Sequence, residues 1–397
     1  MATNYNPGVP MEGLVAFFNP SEERGLPGDG TNIVTNTDLI TGWDRNSYNA
    51  GIVQNDGANP PGVASSFNNF SFYDNNTDGY SYWFSYGDYL PAKVQGALYR
   101  TTVWTKTRDK NFNINMYTAD NSEVGRVSSD NVTIPSDQQW YRPSWIWQNP
   151  TNSQSKSLSF NYTFGNSQGE AQRSWLCYPE VQRITQLADL SGGRNNCTIS
   201  SNVGYAGWRN GHLQTYVTTD SYLTSNMTMG SYFPVDAPWT WTVWAKATSV
   251  PTADVRGVLI GCANYGGAAI YWYSNGSNVQ PFGYLRQTSA YRNTTFGTMN
   301  TNQWYHLTMV NSYSDTSFKF YMNGVLVGSA ARDNTAYGNG AASLTWGISK
   351  PNEVDGGGTS TYRGFPGQIG KIMLYNNEFS ATQVAQHYQA QRGFYGV

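Results

Sequence analysis

The feature that most constrains the fold is a series of short alternating segments in the second half of the chain. Residues 239–245 read WTWTVWA, so that Trp239, Trp241, Val243 and Ala245 lie on one face of an extended strand. Further runs typical of strands cover residues 304–310, 318–322, 325–327, 344–348 and 367–375. Segments this short and this close together predict antiparallel sheets.

One turn in this series is specified by its residues. Asn323-Gly324 stands between the apolar runs 318–322 and 325–327. Both central positions of a two-residue hairpin turn need a positive φ, which asparagine and glycine tolerate best. The pair therefore predicts a tight β-hairpin.

A single helix is predicted at the end of the chain. Ser380 followed by Gln383 forms a capping-box pattern. Val384 and Tyr388 then lie one turn apart on the same helix face. We expect this helix to close an edge of the sheet structure and to carry His387 on its exposed side.

The composition supports an all-β chain. Aromatic residues make up 15% of the 397 residues and charged residues only 13%, with a formal net charge of −2. Nucleic-acid binding needs clustered lysine and arginine, and a membrane helix needs an apolar run of about 20 residues. The sequence shows neither, so we expect no nucleic-acid partner and no membrane insertion.

The order of motifs resembles a known family. The strand at 239–247 is followed by WYHL at 304–307, FYMNG at 320–324, WG at 346–347 and FPGQIGKIMLY at 365–375. Together they look like the laminin-G-like, concanavalin-type jelly-roll family, including its bacteriophage members. The resemblance implies a two-sheet β-sandwich with a lectin-like role.

Two further segments resemble the same family, and a long stretch of the chain separates them. Residues 13–20, GLVAFFNP, are similar to the opening strand of the family, and residues 189–196, DLSGGRNN, to the turn that normally follows it. About 150 residues lie between them, the size of one additional β-sandwich. We therefore predict an N-terminal arm at 1–12, a discontinuous sandwich at 13–31 plus 186–397, and an inserted sandwich at 32–185.

The inserted segment resembles a second family. Its residues 33–43, 80–84, 140–145 and 176–181 follow the strand order of carbohydrate-binding-module-like, galactose-binding-type jelly rolls. The fold class predicted for the whole chain is all-β: two jelly-roll sandwiches, one inserted into the first loop of the other, and a short C-terminal helix.

Catalytic patterns are absent from the sequence. A glycoside hydrolase needs two carboxylates that flank the scissile bond, but Glu22 and Glu23 are adjacent and would point to opposite faces of an extended segment. Glu170, Glu180, Glu353 and Glu378 are isolated. His212, His306 and His387 belong to no triad or zinc motif, and His306 is expected to be a packed framework residue. Cys177 and Cys262 are expected to be buried small apolar residues. We predict a non-enzymatic protein, with glycoside hydrolysis as the less favoured alternative.

Aromatic side chains suit sugar binding, because a pyranose ring packs flat on tryptophan or tyrosine. The candidate glycan-binding residues are Trp145, Trp147, Trp208, Tyr265 and Trp272. For each of them core packing is the alternative, since aromatic strands fill sandwich interiors. Protein–protein contacts could use the same side chains.

The family resemblance also implies a possible calcium ion held by aspartates and loop carbonyls. Asp333 and Asp355 are the candidate ligands, and turn formation by these residues is the alternative. No cofactor other than calcium is indicated by the sequence.

The first residues, the cysteines and the composition indicate where the protein acts. The first residues lack the pattern of a signal peptide, three cysteines do not form a disulfide framework, and the surface residues are polar and aromatic. We expect a phage virion protein, a capsid decoration protein or a tail or baseplate adhesin, assembled in the host cytoplasm and exposed on the particle. Its expected partners are other virion proteins, further copies of itself and cell-surface glycans. A bacterial carbohydrate-binding or adhesion protein is the alternative.

Overall fold

The computed structural model confirms an all-β chain that ends in one helix of fifteen residues. It describes residues 9–34, 43–46, 50–54, 57–66, 69–74, 81–86, 97–108, 112–119, 127–128, 131–148, 157–163, 172–200, 203–206, 211–216, 223–252, 255–261, 267–286, 291–332, 343–348 and 364–397.

The strands are, in chain order, β1 Leu14–Phe18, β2 Trp43–Asn46, β3 Ala50–Gln54, β4 Asn69–Asp74, β5 Ser81–Tyr86, β6 Leu98–Thr107, β7 Phe112–Ala119, β8 Val127–Ser128, β9 Val132–Ile134, β10 Ser144–Gln148, β11 Ser157–Thr163, β12 Gln172–Ile184, β13 Gln186–Leu187, β14 Cys197–Ile199, β15 Gly204–Ala206, β16 His212–Thr215, β17 Leu223–Thr228, β18 Trp239–Ala247, β19 Val255–Gly261, β20 Ala268–Ser274, β21 Val279–Arg286, β22 Tyr291–Thr295, β23 Tyr305–Ser312, β24 Ser317–Met322, β25 Val325–Ala331, β26 Ser343–Ile348 and β27 Gly367–Tyr375. The helices are a 3-10 turn at Glu23–Gly25, α1 at Met229–Tyr232 and α2 at Ala381–Tyr395.

The chain divides into two compact units. Unit 1 comprises Met1–Pro27, Thr185–Ala206 and Asn210–Val397, and unit 2 comprises Gly28–Ile184 and Gly207–Arg209. In the sequence, the segments of unit 1 thus come both before and after the long segment Gly28–Ile184 of unit 2.

Unit 1 contains two antiparallel sheets. The first, sheet A, has the order β15-β16-β27-β18-β23-β24-β25, and β1 also pairs with β27. The second, sheet B, has the order β13-β14-β17-β26-β19-β20-β21-β22. Strands β1 and β16 pair with different halves of β27: β1 with its C-terminal half, and β16 with residues 367–369. The first strand of the chain therefore completes a sheet whose central strand lies near its end.

The two sheets of unit 1 share an aromatic interior. Phe320 of sheet A packs directly on Gly283 of sheet B. A Cβ at Gly283 would lie only 1.7 Å from the ring of Phe320. Trp239 and Trp241 stack at 4.5 Å between ring centroids, and Phe233 meets Trp241 edge to face at 5.4 Å. The apolar face predicted for residues 239–245 is confirmed, but the opposite face of β18 is buried as well.

Helix α2 covers that opposite face. The ring of Tyr395 stacks on Trp244 at 4.1 Å, and the hydroxyl of Tyr395 accepts a hydrogen bond from the backbone N–H of Lys371 at 2.8 Å. The predicted capping box is present, with the Ser380 hydroxyl and the Gln383 side chain each bonded to the other's backbone. The helix begins where its sequence signal predicts.

The predicted hairpin is also confirmed. Asn323 and Gly324 join β24 to β25 with φ values of 53° and 81°. Both residues adopt the left-handed conformation that this turn needs.

Unit 2 also contains two antiparallel sheets. One has the order β10-β6-β12-β4-β3, and the other has the order β2-β5-β11-β7-β8, with β9 also paired to β7. Its described core includes the stacked pair Tyr99 and Trp147. Among the described residues of both units, no helix has the length and apolarity needed to cross a membrane.

Candidate functional site

A pocket of about 440 Å³ opens at one end of the first sheet of unit 1. We call it the β16 pocket. Its lining residues come from β15, from β16 and the residue after it, from the segment after β18 and from the residue before β27: Tyr205, Ala206, Gln214, Thr215, Tyr216, Thr248, Ser249 and Pro366.

The floor of the β16 pocket is fixed by hydrogen bonds to the segment before β27. The buried hydroxyl of Thr215 donates to the carbonyl oxygen of Phe365 at 2.8 Å, and the backbone N–H of Thr248 donates to that of Pro366 at 2.8 Å. Gly367 is required next to them, because a Cβ there would lie 2.0 Å from the backbone oxygen of Lys246. The segment 365–367 is thus held between β16 and β18.

One wall of the pocket is formed by Tyr205, whose hydroxyl has two hydrogen-bond partners. The hydroxyl of Tyr205 donates to the carbonyl oxygen of Pro20 at 3.1 Å and accepts from the backbone N–H of Gly211 at 2.8 Å. Burial raises the pKa of Tyr205 to about 12, partly offset by the bond from Gly211. The two hydrogen bonds hold the hydroxyl of Tyr205 between Pro20 and Gly211.

The other side of the pocket presents groups that a ligand can reach. Tyr216 is 42% exposed, and its partial burial raises its phenol pKa. Ser249 is also exposed and Thr248 is half-buried. An aromatic ring beside small hydroxyl groups can contact both the apolar face and the hydroxyls of a sugar.

A row of long polar side chains extends from the pocket across sheet A. Gln214 of β16 is paired in register with Gln368 of β27, which is paired in turn with Lys246 of β18. Directly paired residues of antiparallel strands lie on the same face, with Cβ atoms about 5 Å apart. All three are half-buried.

Three of the predicted glycan-binding residues are buried in the core. Trp145 and Trp272 have no exposed surface, and Trp147 is 3% exposed. Trp147 stacks on Tyr99 at 5.0 Å, and its indole N–H donates to the hydroxyl of Thr101 at 2.9 Å. A buried ring has no free face for a sugar, so the prediction of sugar stacking is wrong for Trp145, Trp147 and Trp272. The core-packing alternative applies to them.

The remaining predicted site residues lie outside the described residues. These are Trp208 and Tyr265 for glycan binding and Asp333 and Asp355 for calcium. Trp208 falls in the chain between Ala206, which lines the β16 pocket, and Gly211. Within the described residues, no three histidine, cysteine or carboxylate side chains converge on a possible metal site.

The described glutamates near these elements have structural partners. Glu22 pairs with Arg24 at 3.0 Å, Glu180 pairs with Arg142, and Glu378 accepts a hydrogen bond from the backbone N–H of Tyr313 at 3.0 Å. Glu23 begins a 3-10 turn that ends at Gly25, so the argument from an extended segment does not apply to Glu22 and Glu23. Glu170 and Glu353 lie outside the described residues.

The structure confirms the predicted burial of His306 but not the predicted exposure of His387. His306 is buried, as predicted for a framework residue, but His387 is fully buried rather than exposed. His387 faces sheet A from helix α2, and its Nδ1 lies 3.0 Å from Nε2 of His306. Cys177 is buried, as predicted, and burial raises the pKa of its thiol to about 12; Cys262 lies outside the described residues.

The two-sheet sandwich of unit 1, with its first strand paired to its last, defines a jelly-roll domain. Residues 214–385 match the family model of the concanavalin A-like lectin/glucanases superfamily. This part of the chain is therefore similar to the laminin G-like, concanavalin A-like jelly-roll domains. No curated protein matches the sequence significantly.

Solved structures show distant likenesses. The binding domain of Paraclostridial Mosquitocidal Protein 1 is 12% identical, and the match covers 51% of this chain and 49% of that one at a TM-score of 0.41. The botulinum neurotoxin serotype D binding domain is 17% identical over 52% and 49%, with a TM-score of 0.38. Domain 4 of an extracellular arabinanase from Geobacillus stearothermophilus, in complex with arabinotriose, is 18% identical over 51% and 93%, with a TM-score of 0.37. The chain thus spans about half the length of the first two. Likenesses this distant identify no ligand for this chain.

Proposed function

We propose that unit 1 binds glycans in the β16 pocket without cleaving them. The observation that carries the proposal is the lining of the pocket: the exposed Tyr216 lines the same pocket as the hydroxyl-bearing residues Thr248 and Ser249. Sugars combine an apolar C–H face with many hydroxyls, so they need both kinds of contact at once. The domain class, a concanavalin A-like lectin/glucanase jelly roll, agrees with this chemistry.

Binding is favoured over hydrolysis by the nature of the lining. The described residues around the β16 pocket carry hydroxyl, amide and aromatic groups, with no carboxylate among them. Glycoside hydrolysis uses two carboxylates on either side of the scissile bond. We therefore propose a lectin-like module rather than a glucanase.

A glycan array with the purified full chain tests the proposal. We expect binding to a subset of glycans, and we expect Tyr216→Ala to weaken it by about tenfold, since an aromatic contact contributes about 1 kcal/mol or more. Tyr313→Ala is the matched control, because Tyr313 is an exposed tyrosine of unit 1 that does not line the pocket. Absence of binding across a broad panel, or equal losses in the two variants, would contradict the proposal.

We further propose that the protein acts on a phage particle, as a capsid decoration protein or a tail or baseplate adhesin that meets cell-surface glycans. The low content of charged residues, and the burial of Cys177 and Cys197 outside any described disulfide, support a chain that folds in a reducing cytoplasm and works outside it. Electron microscopy of virions labelled with antibody to this protein tests this setting. Unlabelled particles would favour a bacterial adhesion protein instead.

Two finer points belong to the same proposal. Calcium binding by Asp333 and Asp355 remains a proposal from the sequence, and a calcium titration monitored by thermal unfolding tests it. Assembly into a homo-oligomer on the particle is tested by sedimentation of the purified chain.

A further inference from the structure

Strand β25 forms an open edge of sheet A. It is the last strand in the order of that sheet, and among the described residues it pairs with β24 alone. An edge strand carries backbone N–H and C=O groups on its outer side that have no partner within the sheet. The partner that satisfies such a row of groups is another extended strand.

The hydrogen bonds to β24 determine which backbone groups of β25 point outward. The backbone N–H of Arg332 donates to the carbonyl oxygen of Thr316 at 2.9 Å, one residue beyond the paired strands. Bonded and non-bonded pairs alternate in an antiparallel ladder, so the N–H and C=O groups of Ser329 and Ala331 point away from β24. The register shift at Val327 leaves residues 328–331 as the regular part of the ladder.

The side chains of this edge are apolar or small, and none is charged. Val325, Leu326 and Val327 are 65%, 52% and 42% exposed. The strand then continues with glycine, serine and two alanines. Native edge strands are commonly protected from pairing by lysine, by proline or by a very short length. Strand β25 has seven residues and contains neither lysine nor proline.

The other edges of the two sheets of unit 1 differ from β25. Strand β15, at the opposite end of sheet A, has three residues, and β13, at one end of sheet B, has two. Strand β22, at the other end of sheet B, contains Arg292. Among the described edges of unit 1, β25 is therefore the one whose length and composition favour pairing with another strand.

Strand β22 of sheet B contacts β25, but not at its outward backbone groups. A Cβ at Gly328 would lie 2.3 Å from Cγ2 of Thr294. Gly328 is the cross-strand partner of Phe320, whose ring packs on Gly283 of sheet B. Because paired residues share one face of a sheet, Thr294 meets the inner face of β25. The contact leaves the outer edge of the strand without a partner.

We propose that β25 pairs antiparallel with β25 of a second copy of this chain, so that sheet A continues across a two-fold axis. The inference rests on the proposed homo-oligomer and names its interface. Like charges on opposed residues destabilise paired strands, and an uncharged strand brings none to its own copy in any register. On the neighbouring strand, the charge of Lys319 is already paired with Asp315 at 2.7 Å. A two-fold interface is also the commonest kind in homo-oligomers.

Sedimentation equilibrium of the full chain over a range of concentrations tests the proposal. We expect a reversible monomer–dimer equilibrium that Ser329→Pro weakens by about tenfold or more, because proline removes an outward N–H and blocks the approach of a strand. That N–H is not bonded to β24, so the thermal unfolding of the variant should be unchanged.

A second variant keeps the test decisive if the proline disturbs folding. Val327→Lys brings a charge from each copy to the shared edge and should weaken the dimer as well. Val250→Lys is the matched control, since Val250 is a valine of unit 1 that is 36% exposed and lies outside the strands. It should leave the dimer unchanged.

Hydrogen exchange locates the interface. The amides of residues 325–331 should exchange more slowly at concentrations where the dimer forms, because the outward groups then have partners. The same protection is expected in Val250→Lys and not in Ser329→Pro. Concentration-dependent protection confined to other segments would contradict the proposal.

The outcomes separate this inference from the proposed function. A dimer that is unchanged in both β25 variants assembles through another surface, so the homo-oligomer would stand and this inference would be wrong. A chain that is monomeric at every concentration overturns both, and leaves the edge to a strand of another protein. The glycan array is independent of either result, because β25 does not line the β16 pocket.

Discussion

The backbone N–H of Phe17 donates a hydrogen bond to the Asp189 carboxylate at 3.0 Å, across 172 residues of sequence. The same turn holds the strand at a second point, where Ser191 Oγ and Asn195 Nδ2 donate to the carbonyl oxygen of Val15 at 3.1 and 3.3 Å. The segment that follows unit 2 therefore fixes the strand that precedes it. We call these hydrogen bonds between the turn at residues 189–195 and β1 the clamp. The clamp joins the two parts of the unit 1 sandwich that the inserted segment separates in the sequence.

Asp189→Ala should destabilise unit 1 by about 3 kcal/mol or more. The buried carboxylate accepts from the backbone N–H groups of Phe17, Ser191 and Asn195, and each loss leaves a donor without a partner. Urea unfolding followed by tryptophan fluorescence measures the effect. Asp29→Ala is the control, since that exposed carboxylate accepts one local bond from Thr31, and it should cost less than about 1 kcal/mol. Similar losses in both variants would contradict the role of the clamp.

Removing β1 should prevent unit 1 from folding. A chain that begins at Leu187 lacks the strand paired with residues 372–375 and exposes that edge of β27. We expect no cooperative unfolding transition from it. A chain in which residues 32–185 are replaced by a short glycine-serine linker keeps β1 and should unfold cooperatively. The domain boundaries remain a prediction until this pair is measured, and cooperative unfolding of the Leu187 fragment at full-chain stability would overturn them.

The histidines in the core form a network that needs both rings neutral. The geometry is satisfied if Thr308 donates to Nδ1 of His306, His306 Nε2–H donates to Nδ1 of His387, and His387 Nε2–H donates to Tyr375, whose hydroxyl donates to the sulfur of Met373. A second proton on His387 would lie on Nδ1 and set this N–H against the Nε2–H of His306. Burial lowers the pKa of His387 to about 3, with a further contribution from Lys371, and burial followed by the charge of His387 lowers that of His306 well below its usual value.

This network predicts a loss of stability in weak acid. The unfolded chain binds protons on these histidines below about pH 6.5, whereas the folded chain does not, so the free energy of unfolding should fall as pH drops from 6.5 to 5. Each of His306 and His387 contributes up to about 1.4 kcal/mol per pH unit. Urea titrations between pH 5 and 8 measure the slope. His387→Gln should reduce the slope, whatever its effect at pH 8, because it removes one of the buried histidines. A wild-type profile that is flat below pH 6.5 would refute the explanation.

The sequence predicts best where one or two residues decide the local backbone. Asn323-Gly324 fixes a turn because few residues adopt positive φ, and Ser380 with Gln383 fixes the start of α2 because their side chains replace missing backbone bonds. It fails where burial depends on a distant partner. His387 lies on a helix whose sequence does not show which face meets sheet A.

The same limit applies to the candidate site. Trp145 and Trp147 alternate with Ile146 in a strand that is buried on both faces, so alternation could not tell core rings from surface rings. The β16 pocket is built from residues near 205, 215, 248 and 366, which share no motif. The sequence does not predict Tyr216 as a site residue, because no neighbouring motif indicates that it lines a pocket.

Two glycines should respond in opposite ways to alanine. Gly283→Ala places a methyl group 1.7 Å from the ring of Phe320, so we expect a loss of about 1 to 3 kcal/mol from overpacking. Gly393 lies inside α2 with open space around it, and alanine there should stabilise by up to about 1 kcal/mol through helix propensity. Thermal unfolding of both variants checks the packing between the sheets. A neutral Gly283→Ala would show that Phe320 does not occupy that space.

The most direct test of the central claim is the dissociation constant of the best array glycan for three forms of the full chain: wild type, Tyr216→Phe and Tyr216→Ala. The phenylalanine keeps the ring that stacks on the sugar and loses only the hydroxyl, so it should stay within about threefold of wild type. The alanine loses the ring and should weaken binding by about tenfold or more. Equal affinity in all three proteins would mean that the glycan does not bind at the β16 pocket.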